Sequence, residues 1–362
     1  MSYKSFINLS NQFKFCGNAF RIDTHKGCSF GCSYCYANNS VACNHEFSFD
    51  SVDIEDLDKL FYTALETSRG DSIVFELLRN RVPLHCGSMA DPFQVQEFTL
   101  ERTLHLIQLS VKYRYPICFS TKTSYLPEKY FDALDPELHA FQISIIGADT
   151  DWCAKFEQGT RSPLERVDFV RTLREKGFWC SIRIQPLIDA KQALKLVELA
   201  SGTPSYLTVE HLKIPQTNLD FLTRFRADIP NVEMFRKTTI YYELPTHVKV
   251  ENIKQIQKAA NANGVLVGVG DNDLHELSQS RCCCGIDCIP SFSSYLKYNS
   301  TYMLTGDDNN FGFIPNANCQ GCLNSDLRKK FPNKVITFKE VVDDYISRYN
   351  ISVGHNKKRK LF

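Results

Sequence analysis

Three cysteines that could bind a metal together lie in the segment DTHKGCSFGCSYCYANN, residues 23–39. Cys28, Cys32 and Cys35 follow the spacing C-x3-C-x2-C, and no fourth cysteine follows closely. Four thiolates close a metal site, whereas three leave one coordination position for a substrate or cofactor. A four-iron cluster held by three cysteines likewise keeps one iron for another ligand. The spacing therefore predicts an open metal centre.

The aromatic residue before the last cysteine, Tyr34, makes this pattern more specific than a lone C-x2-C. The alternative is a zinc loop that takes its fourth ligand from a histidine such as His25 or His45.

A second group of cysteines lies near the carboxyl end, in SRCCCGIDC and NCQGC. Two pairs about thirty residues apart are typical of a closed four-cysteine site, and the predicted ligands are Cys284, Cys288, Cys319 and Cys322. Cys282 and Cys283 are further choices. Such a site could be structural, since a bound metal stabilises a loop-rich segment with little core.

The sequence leads us to expect these cysteines in a reducing environment. The 362-residue chain begins without the apolar segment of a signal peptide and has no apolar run long enough to span a membrane. We therefore expect a cytoplasmic, soluble protein, in which its 15 cysteines serve metal binding or packing rather than disulfides. The 42 basic residues balance the 41 acidic ones, so net charge favours no class of partner.

The three cysteines of the first loop lie in a part of the chain where strand-like and helix-like segments alternate, and these segments must position them. Near-continuous apolar strands separated by amphipathic helices predict parallel pairing with helical crossovers. The six predicted strands are AFRIDTH (19–25), VPLHCGSM (82–89), PICFSTKT (116–123), AFQISIIG (140–147), CSIRIQPLI (180–188) and YLTVEHLKI (206–214). Six are too few for a closed eight-fold barrel, so we predict an α/β fold with a partial (β/α)6 barrel over residues 1–215. Residues 216–362 are predicted to form a Cys-rich C-terminal extension.

Six helices are predicted from the same pattern, at 52–68, 96–113, 127–134, 162–177, 190–201 and 251–264, with a further strand at 265–270. Ser162, Pro163 and Glu165 have the spacing of a capping box with proline in the first turn. In parallel α/β folds the chemistry gathers at the carboxyl ends of the strands, and the three-cysteine loop directly follows the first of them.

These features resemble the radical SAM superfamily, whose signature is a C-x3-C-x-aromatic-C loop after the first strand of a partial barrel. The resemblance implies that Cys28, Cys32 and Cys35 hold a [4Fe-4S] cluster. Its free iron would chelate S-adenosylmethionine, and one electron would release a 5′-deoxyadenosyl radical that abstracts hydrogen from a substrate. Because members of this family often carry auxiliary clusters, the resemblance favours iron–sulfur over zinc for the second cysteine site.

The chain further resembles the spore photoproduct lyase-like branch over roughly residues 20–215, through CGSMADPFQVQE (86–97), FSTKTSYL (119–126) and the segment 143–178. This resemblance implies that cofactor-binding residues lie at the ends of the strands and in the following loops: Tyr34, Ser88, Asp91, Lys122, Ser144, Glu157 and Arg161. Asp91 has the alternative role of a helix cap or turn, and Arg161 that of a surface ion pair.

The lyases of this branch carry a hydrogen-donating cysteine three positions before the aspartate, where this chain has Ser88. Cys86 lies two residues earlier, on the same face of a strand, and is the candidate catalytic donor. A buried structural thiol is the alternative.

The sequence leaves the substrate open. The family resemblance, the basic runs LRKK (327–330) and KKRK (357–360), and the pair Tyr241 and Tyr242 favour a nucleic-acid base, with lyase-like repair or modification. A peptide or small metabolite is the alternative, as is a non-catalytic metal-bound binding module. The expected partner is a reductant such as flavodoxin or ferredoxin, and no membrane is expected.

Overall fold

The computed structural model describes residues 7–9, 18, 20–39, 50–70, 73–280, 282–292, 312–313, 336–337 and 340. Its main sheet has eight strands in the spatial order β1-β2-β3-β4-β5-β6-β7-β11. They are β1 (Ile7–Leu9), β2 (Phe20–Ile22), β3 (Leu84–Cys86), β4 (Ile117–Thr121), β5 (His139–Ser144), β6 (Trp179–Leu187), β7 (Tyr206–His211) and β11 (Leu266–Val269). Two small sheets contain β8 (Ile214–Pro215), β9 (Arg236–Lys237) and β10 (Tyr241–Glu243), and β12 (Gly312–Phe313) with β13 (Ile336–Thr337).

The helices cover the sheet between successive strands. They are α1 (Ile54–Leu65), α2 (Ile73–Arg79), α3 (Glu97–Leu100), α4 (Arg102–Lys112), α5 (Glu128–Ala133), α6 (Thr150–Phe156), α7 (Pro163–Glu175), α8 (Ala190–Leu199), α9 (Leu219–Arg224) and α10 (Thr246–Asn261). In the part of the chain that the structure describes, no helix is long and apolar enough to cross a membrane.

All six predicted strands are present as β2 to β7 and pair in parallel in chain order. The sheet is wider than predicted at both edges. The apolar segment 265–270 supplies β11, which pairs in parallel with β7, and β1 pairs antiparallel with β2. The α/β fold with a parallel sheet is confirmed, while the division of the chain at residue 215 stays a prediction.

The predicted helix 96–113 is divided in two at Glu101, which has a left-handed φ of 54°. The cause is the buried carboxylate of Glu97, which accepts hydrogen bonds from the amides of Thr103 (2.9 Å) and Leu104 (2.9 Å). These are amides of the first turn of α4, which a helix cannot satisfy by itself. The side chain of Glu97, at the start of α3, therefore caps the first turn of α4, and a new helix begins there.

The capping box at the start of α7 is confirmed. The Ser162 hydroxyl accepts from the amide of Glu165, and the Glu165 carboxylate accepts from the amide of Ser162. The short helices α2 and α6 were not predicted, because seven residues carry too little of a periodic pattern to be recognised.

The two faces of the sheet differ in character. The outer face packs against the helices in one large apolar core, to which Ile22, Leu84, Phe119, Ile182 and Val209 belong. The inner face carries polar side chains toward the carboxyl ends of the strands.

At the opposite end of the inner face, residues 282–292 pack against the strands and close the interior. Two hydrogen bonds fix this segment: Gln142 Nε2 donates to the Cys284 carbonyl (3.0 Å), and Thr208 Oγ1 donates to the Cys283 carbonyl (3.0 Å). Gly268 makes the approach possible, since a Cβ there would lie 2.1 Å from the Cys283 oxygen. The cysteine-rich region therefore contacts the barrel directly.

Acid is expected to destabilise the protein through His139. Burial lowers the pKa of this histidine to about 3, from an ordinary value of 6.5. Its ring accepts from the Asp135 amide (2.9 Å) and contacts Ser110 Oγ (2.6 Å), an arrangement that suits the neutral form. Between these pH values the unfolded chain binds a proton that the folded chain excludes, so stability falls by up to about 1.4 kcal/mol per pH unit below 6.5.

The free energy of unfolding should be measured with urea at pH 7.5 and at pH 5.5. We expect it to fall less between the two pH values in His139→Gln than in the wild type. The exposed His247→Gln is the control and should keep the wild-type pH dependence. An unchanged dependence in His139→Gln would contradict the assignment.

Candidate cluster and cofactor site

The three-cysteine loop follows β2 and is held at its amino end by one side chain, Gln94. The Gln94 Oε1 accepts from the Ser29 amide (2.7 Å), and its Nε2 donates to the Gly27 carbonyl (2.9 Å). Gln94 is buried and belongs to the loop after β3. Both ends of one amide therefore fix the backbone around Cys28.

The other side of the loop is fixed by the segment after α6. The Ser33 amide donates to the Phe156 carbonyl (2.9 Å), and the Gly159 amide donates to the Phe30 carbonyl (3.1 Å). A Cβ on Gly159 would lie 2.7 Å from the Phe30 oxygen, so only glycine allows this approach. The loop is thus held between two strand-end loops.

The thiols of this loop suit an iron–sulfur cluster in number and chemistry. Burial raises the pKa of Cys28 to about 11 and that of Cys32 to about 12, so both stay protonated until a positive centre binds them. Soft thiolates are the usual ligands of such clusters. Within the described ranges, no three His, Cys, Asp or Glu side chains converge as a preformed metal site.

Beside the loop lies a buried cluster of charged and polar groups centred on Glu157. Its Oε1 accepts from Tyr34 OH and from Lys122 Nζ (2.9 Å), and its Oε2 forms an ion pair with Arg166 Nη2 (2.7 Å). Lys122 Nζ also lies 5.4 Å from the centre of the Tyr34 ring. The structure therefore brings together three of the predicted cofactor-binding residues.

Two opposing effects decide the charge of Glu157. Burial alone would raise its pKa, but the positive charges of Arg166 and Lys122 outweigh burial and lower the pKa to about 2. The carboxylate is therefore ionised at neutral pH. It holds the lysine ammonium against the tyrosine ring, directly beside the cysteine loop.

Arg166, which the sequence reasoning missed, is the arginine that pairs with Glu157. Arg166 is fully buried and also donates from Nη1 to the Ser144 carbonyl (2.8 Å). Arg161 is exposed on the loop before α7. The signal was available, since Arg166 shares the buried face of α7 with Val167 and Val170, but a charged residue on an apolar face is normally counted as a break in the pattern. The role of Arg161 toward a cofactor stays a prediction.

Asp91 ends the turn after β3 and has each carboxylate oxygen engaged. Oδ1 accepts from Thr121 Oγ1 (2.7 Å) and the Phe93 amide (2.9 Å), and Oδ2 accepts from the Lys122 amide (2.7 Å). These contacts support the turn role that the sequence left open. They also join the ends of β3 and β4.

Asp23, a second residue that the sequence reasoning missed, organises the turn before Asp91. It accepts from Ser88 Oγ (2.7 Å) and from the amides of Met89 (2.7 Å) and Ala90 (3.3 Å). The Ser88 carbonyl accepts from Tyr36 OH. The predicted residue Ser88 therefore lies between the end of β2 and the cysteine loop.

Comparisons with known proteins show what parts of the chain resemble in sequence and in fold. No family model matches the chain. A segment of 165 residues, 44% of the chain, is 26% identical to the radical SAM Nα-GlyT isomerase of Pseudomonas phage M6 and covers 31% of that protein. The likeness in sequence to a radical SAM enzyme is thus limited to this segment, and the chain spans about a third of that relative's length.

The fold of the chain is similar to that of spore photoproduct lyase. The chain superposes on spore photoproduct lyase complexed with dinucleoside spore photoproduct with a TM-score of 0.52 and 15% identity, covering 72% of this chain and 78% of that one. A mutant of the lyase with one cysteine replaced by serine gives a TM-score of 0.51 and 15% identity, over 71% and 76% of the two chains. At this identity the likeness concerns the fold alone.

Cys86, the candidate hydrogen donor, is fully buried. Its side chain lies in the outer core with Ile22 and Leu84, and burial raises the pKa of its thiol well above the usual range. These surroundings support the structural role that the sequence left open.

The zinc alternative for the first loop loses one of its ligands. His25 Nε2 lies 2.8 Å from Glu97 Oε2, and both side chains are buried beneath the helices. This imidazole is engaged in the capping network of α4 and not directed at the cysteines. His45 lies outside the described residues.

Half of the predicted second metal site can be located. Cys284 and Cys288 lie in the segment that closes the barrel interior, whereas Cys319 and Cys322 lie outside the described residues. The Sγ atom of Cys284 contacts that of Cys282, at a distance of 2.9 Å. The second site therefore stays a prediction, including the choice between an iron–sulfur cluster and zinc.

Proposed function

We propose that the protein is a radical SAM enzyme in which Cys28, Cys32 and Cys35 hold a [4Fe-4S] cluster that cleaves S-adenosylmethionine reductively. The observation that carries this proposal is the three-cysteine loop, fixed at the carboxyl ends of a parallel sheet beside the Glu157 charge cluster. When bound, the cluster and its cofactor supply a 5′-deoxyadenosyl radical that abstracts hydrogen from a substrate. Flavodoxin or ferredoxin would supply the electron.

The chain's own residues would bind and orient the cofactor. We assign Lys122, which Glu157 holds and which is largely shielded from solvent, to the cofactor carboxylate, and the adjacent Tyr34 to the adenine side. Ser144 lies at the end of the neighbouring strand, and its carbonyl accepts a hydrogen bond from the Arg166 guanidinium. Ser88 and Asp91 form the turn that would meet the ammonium group. These groups are rigidly held, which suits a site that must orient a reactive species.

For the substrate we propose a nucleic-acid base. The support is indirect: the lyase whose fold this chain shares is known in complex with a dinucleoside, and the relative in sequence is an isomerase. Hydrogen abstraction followed by bond rearrangement is compatible with either reaction class. Modification of a peptide or small metabolite, and a non-catalytic binding module, are the competing hypotheses.

The proposed cleavage is tested by incubating anaerobically reconstituted protein with S-adenosylmethionine and dithionite, with and without a dinucleotide. We expect 5′-deoxyadenosine from the wild type and none above background from Cys32→Ala. Cys180→Ala, which removes a buried cysteine from the outer core, is the control and should retain cleavage. Iron-loaded wild type that forms no 5′-deoxyadenosine under any of these conditions would refute the proposal.

A further inference from the structure

The interior of the sheet contains polar side chains that solvent can reach. Arg21, His85, Arg183, Gln185 and Glu210 are all partly exposed, although the strands that carry them are otherwise almost completely buried. They project from β2, β3, β6 and β7 on the face opposite the helix-covered core. The inner face therefore lines an accessible cavity above the segment 282–292.

Arg183 lies near the centre of this cavity, and its partners within the described ranges are all neutral groups. Its Nη1 donates to Ser120 Oγ (2.9 Å) and Gln142 Oε1 (3.1 Å). Its Nε donates to Gln185 Oε1 (3.1 Å), which also accepts from Nη2. These contacts hold the guanidinium in one orientation without neutralising its charge.

Arg21 lies on the other side of the same cavity. Its Nη1 is 3.3 Å from Ser88 Oγ, again a neutral acceptor. Between the two arginines lies His85, whose Nε2 is 2.7 Å from Ser120 Oγ. Burial and the positive charges of Arg183 and Arg21 lower the pKa of His85 to about 3, so the imidazole adds no third charge.

The nearby carboxylates are engaged with other groups. Asp23 accepts from Ser88 and two backbone amides. Glu210 accepts from Gln185 Nε2 and forms an ion pair with Lys213 (2.8 Å). Among the described residues, neither Arg21 nor Arg183 forms an ion pair with a carboxylate. Buried charges are normally paired, so the two arginines favour the binding of an anion.

The cavity adjoins the cysteine loop. Tyr36 directly follows Cys35, and its hydroxyl donates to the Ser88 carbonyl, next to the hydroxyl that Arg21 contacts. A molecule bound between the arginines would therefore lie immediately inside the cluster loop, where a substrate must lie to meet a radical.

We propose that Arg21 and Arg183 together bind an oxyanion of the substrate, a phosphate or a carboxylate, inside the barrel. The inference rests on the proposed function, because it assigns this group to the substrate of the same site. Guanidinium groups bind both oxyanions through charge-assisted hydrogen bonds, and Ser120 and His85 supply the neutral groups between them.

The test is a calorimetric titration of the reconstituted full-length protein with inorganic phosphate and, separately, with acetate, each with and without saturating S-adenosylmethionine. We expect at least one anion to bind in both conditions, and the anion that binds identifies the source as phosphate or carboxylate. Arg183→Gln and Arg21→Gln should each weaken binding about tenfold or more, the loss of one charged hydrogen-bond donor. The exposed Arg226→Gln should bind as the wild type does.

Three results would overturn the proposal: no binding of either anion, undiminished binding by both arginine variants, or displacement of the anion by S-adenosylmethionine. The last would assign the arginines to the cofactor. Arginine modification of the wild type by phenylglyoxal guards against misfolded variants, since the bound anion should protect Arg21 and Arg183 but not Arg226. No reductant is used, so failure of anion binding is distinguishable from failure of cofactor cleavage.

Discussion

Glu157→Gln is expected to lower the free energy of unfolding by about 3–5 kcal/mol, the cost of removing one partner from a buried ion pair. Lys122 and Arg166 would keep their charges, with 15% and 0% of their side chains exposed, and would lose the carboxylate that neutralises them. A glutamine can still accept one hydrogen bond but carries no charge. The effect should be measured by anaerobic urea unfolding.

Glu165→Gln is the matched control. It changes an exposed carboxylate of the adjoining capping box, and we expect a loss of about 1 kcal/mol or less. Equal losses in the two variants would mean that the Glu157 cluster is hydrated and not a buried charge centre.

The same residue gives the protein a dependence on acid. The Glu157 pKa is about 2 in the folded chain and 4.5 ordinarily. Its contribution to stability is therefore fully present above pH 4.5 and lost as the pH falls toward 2. Glu157→Gln should show a smaller loss over that range than the wild type does.

Replacing Cys28, Cys32 and Cys35 by alanine together is expected to remove about four irons per chain. The iron and zinc content per chain should be measured on anaerobically reconstituted protein before and after the change, and EPR spectra should be recorded on the same samples. A fall from about eight irons to about four would mean that the C-terminal cysteines hold an auxiliary cluster. A fall from about four to none, with one zinc retained, would make that region a structural zinc site.

The complementary variant is Cys284→Ala with Cys288→Ala, which should release only the second metal. An unchanged metal content in this variant would remove both residues from the ligand set. Retention of all iron after the first replacement would contradict the cluster assignment of the three-cysteine loop itself.

The sequence by itself determined most of the fold and the three-cysteine motif on which the proposed function rests. Cluster ligation needs particular residue types at fixed short spacing, and C-x3-C-x2-C after a strand is local information. The six parallel strands and the Ser162–Glu165 capping box were equally predictable, since apolar periodicity and helix capping act within a few residues. Tyr34, Lys122 and Glu157 were found through the family resemblance and do lie together.

Only the tertiary structure decided the contacts that join distant segments. Glu97 of α3 caps the first turn of α4, and Arg166 of α7 pairs with Glu157. Residues 282–292 pack closely against Gly268 at the end of the barrel interior. Arg21 and Arg183 lie far apart in the chain. They face the same cavity because parallel strands place their side chains on one inner face. No local pattern encodes such pairs, since the free energy of a buried charge depends on which groups the fold brings beside it.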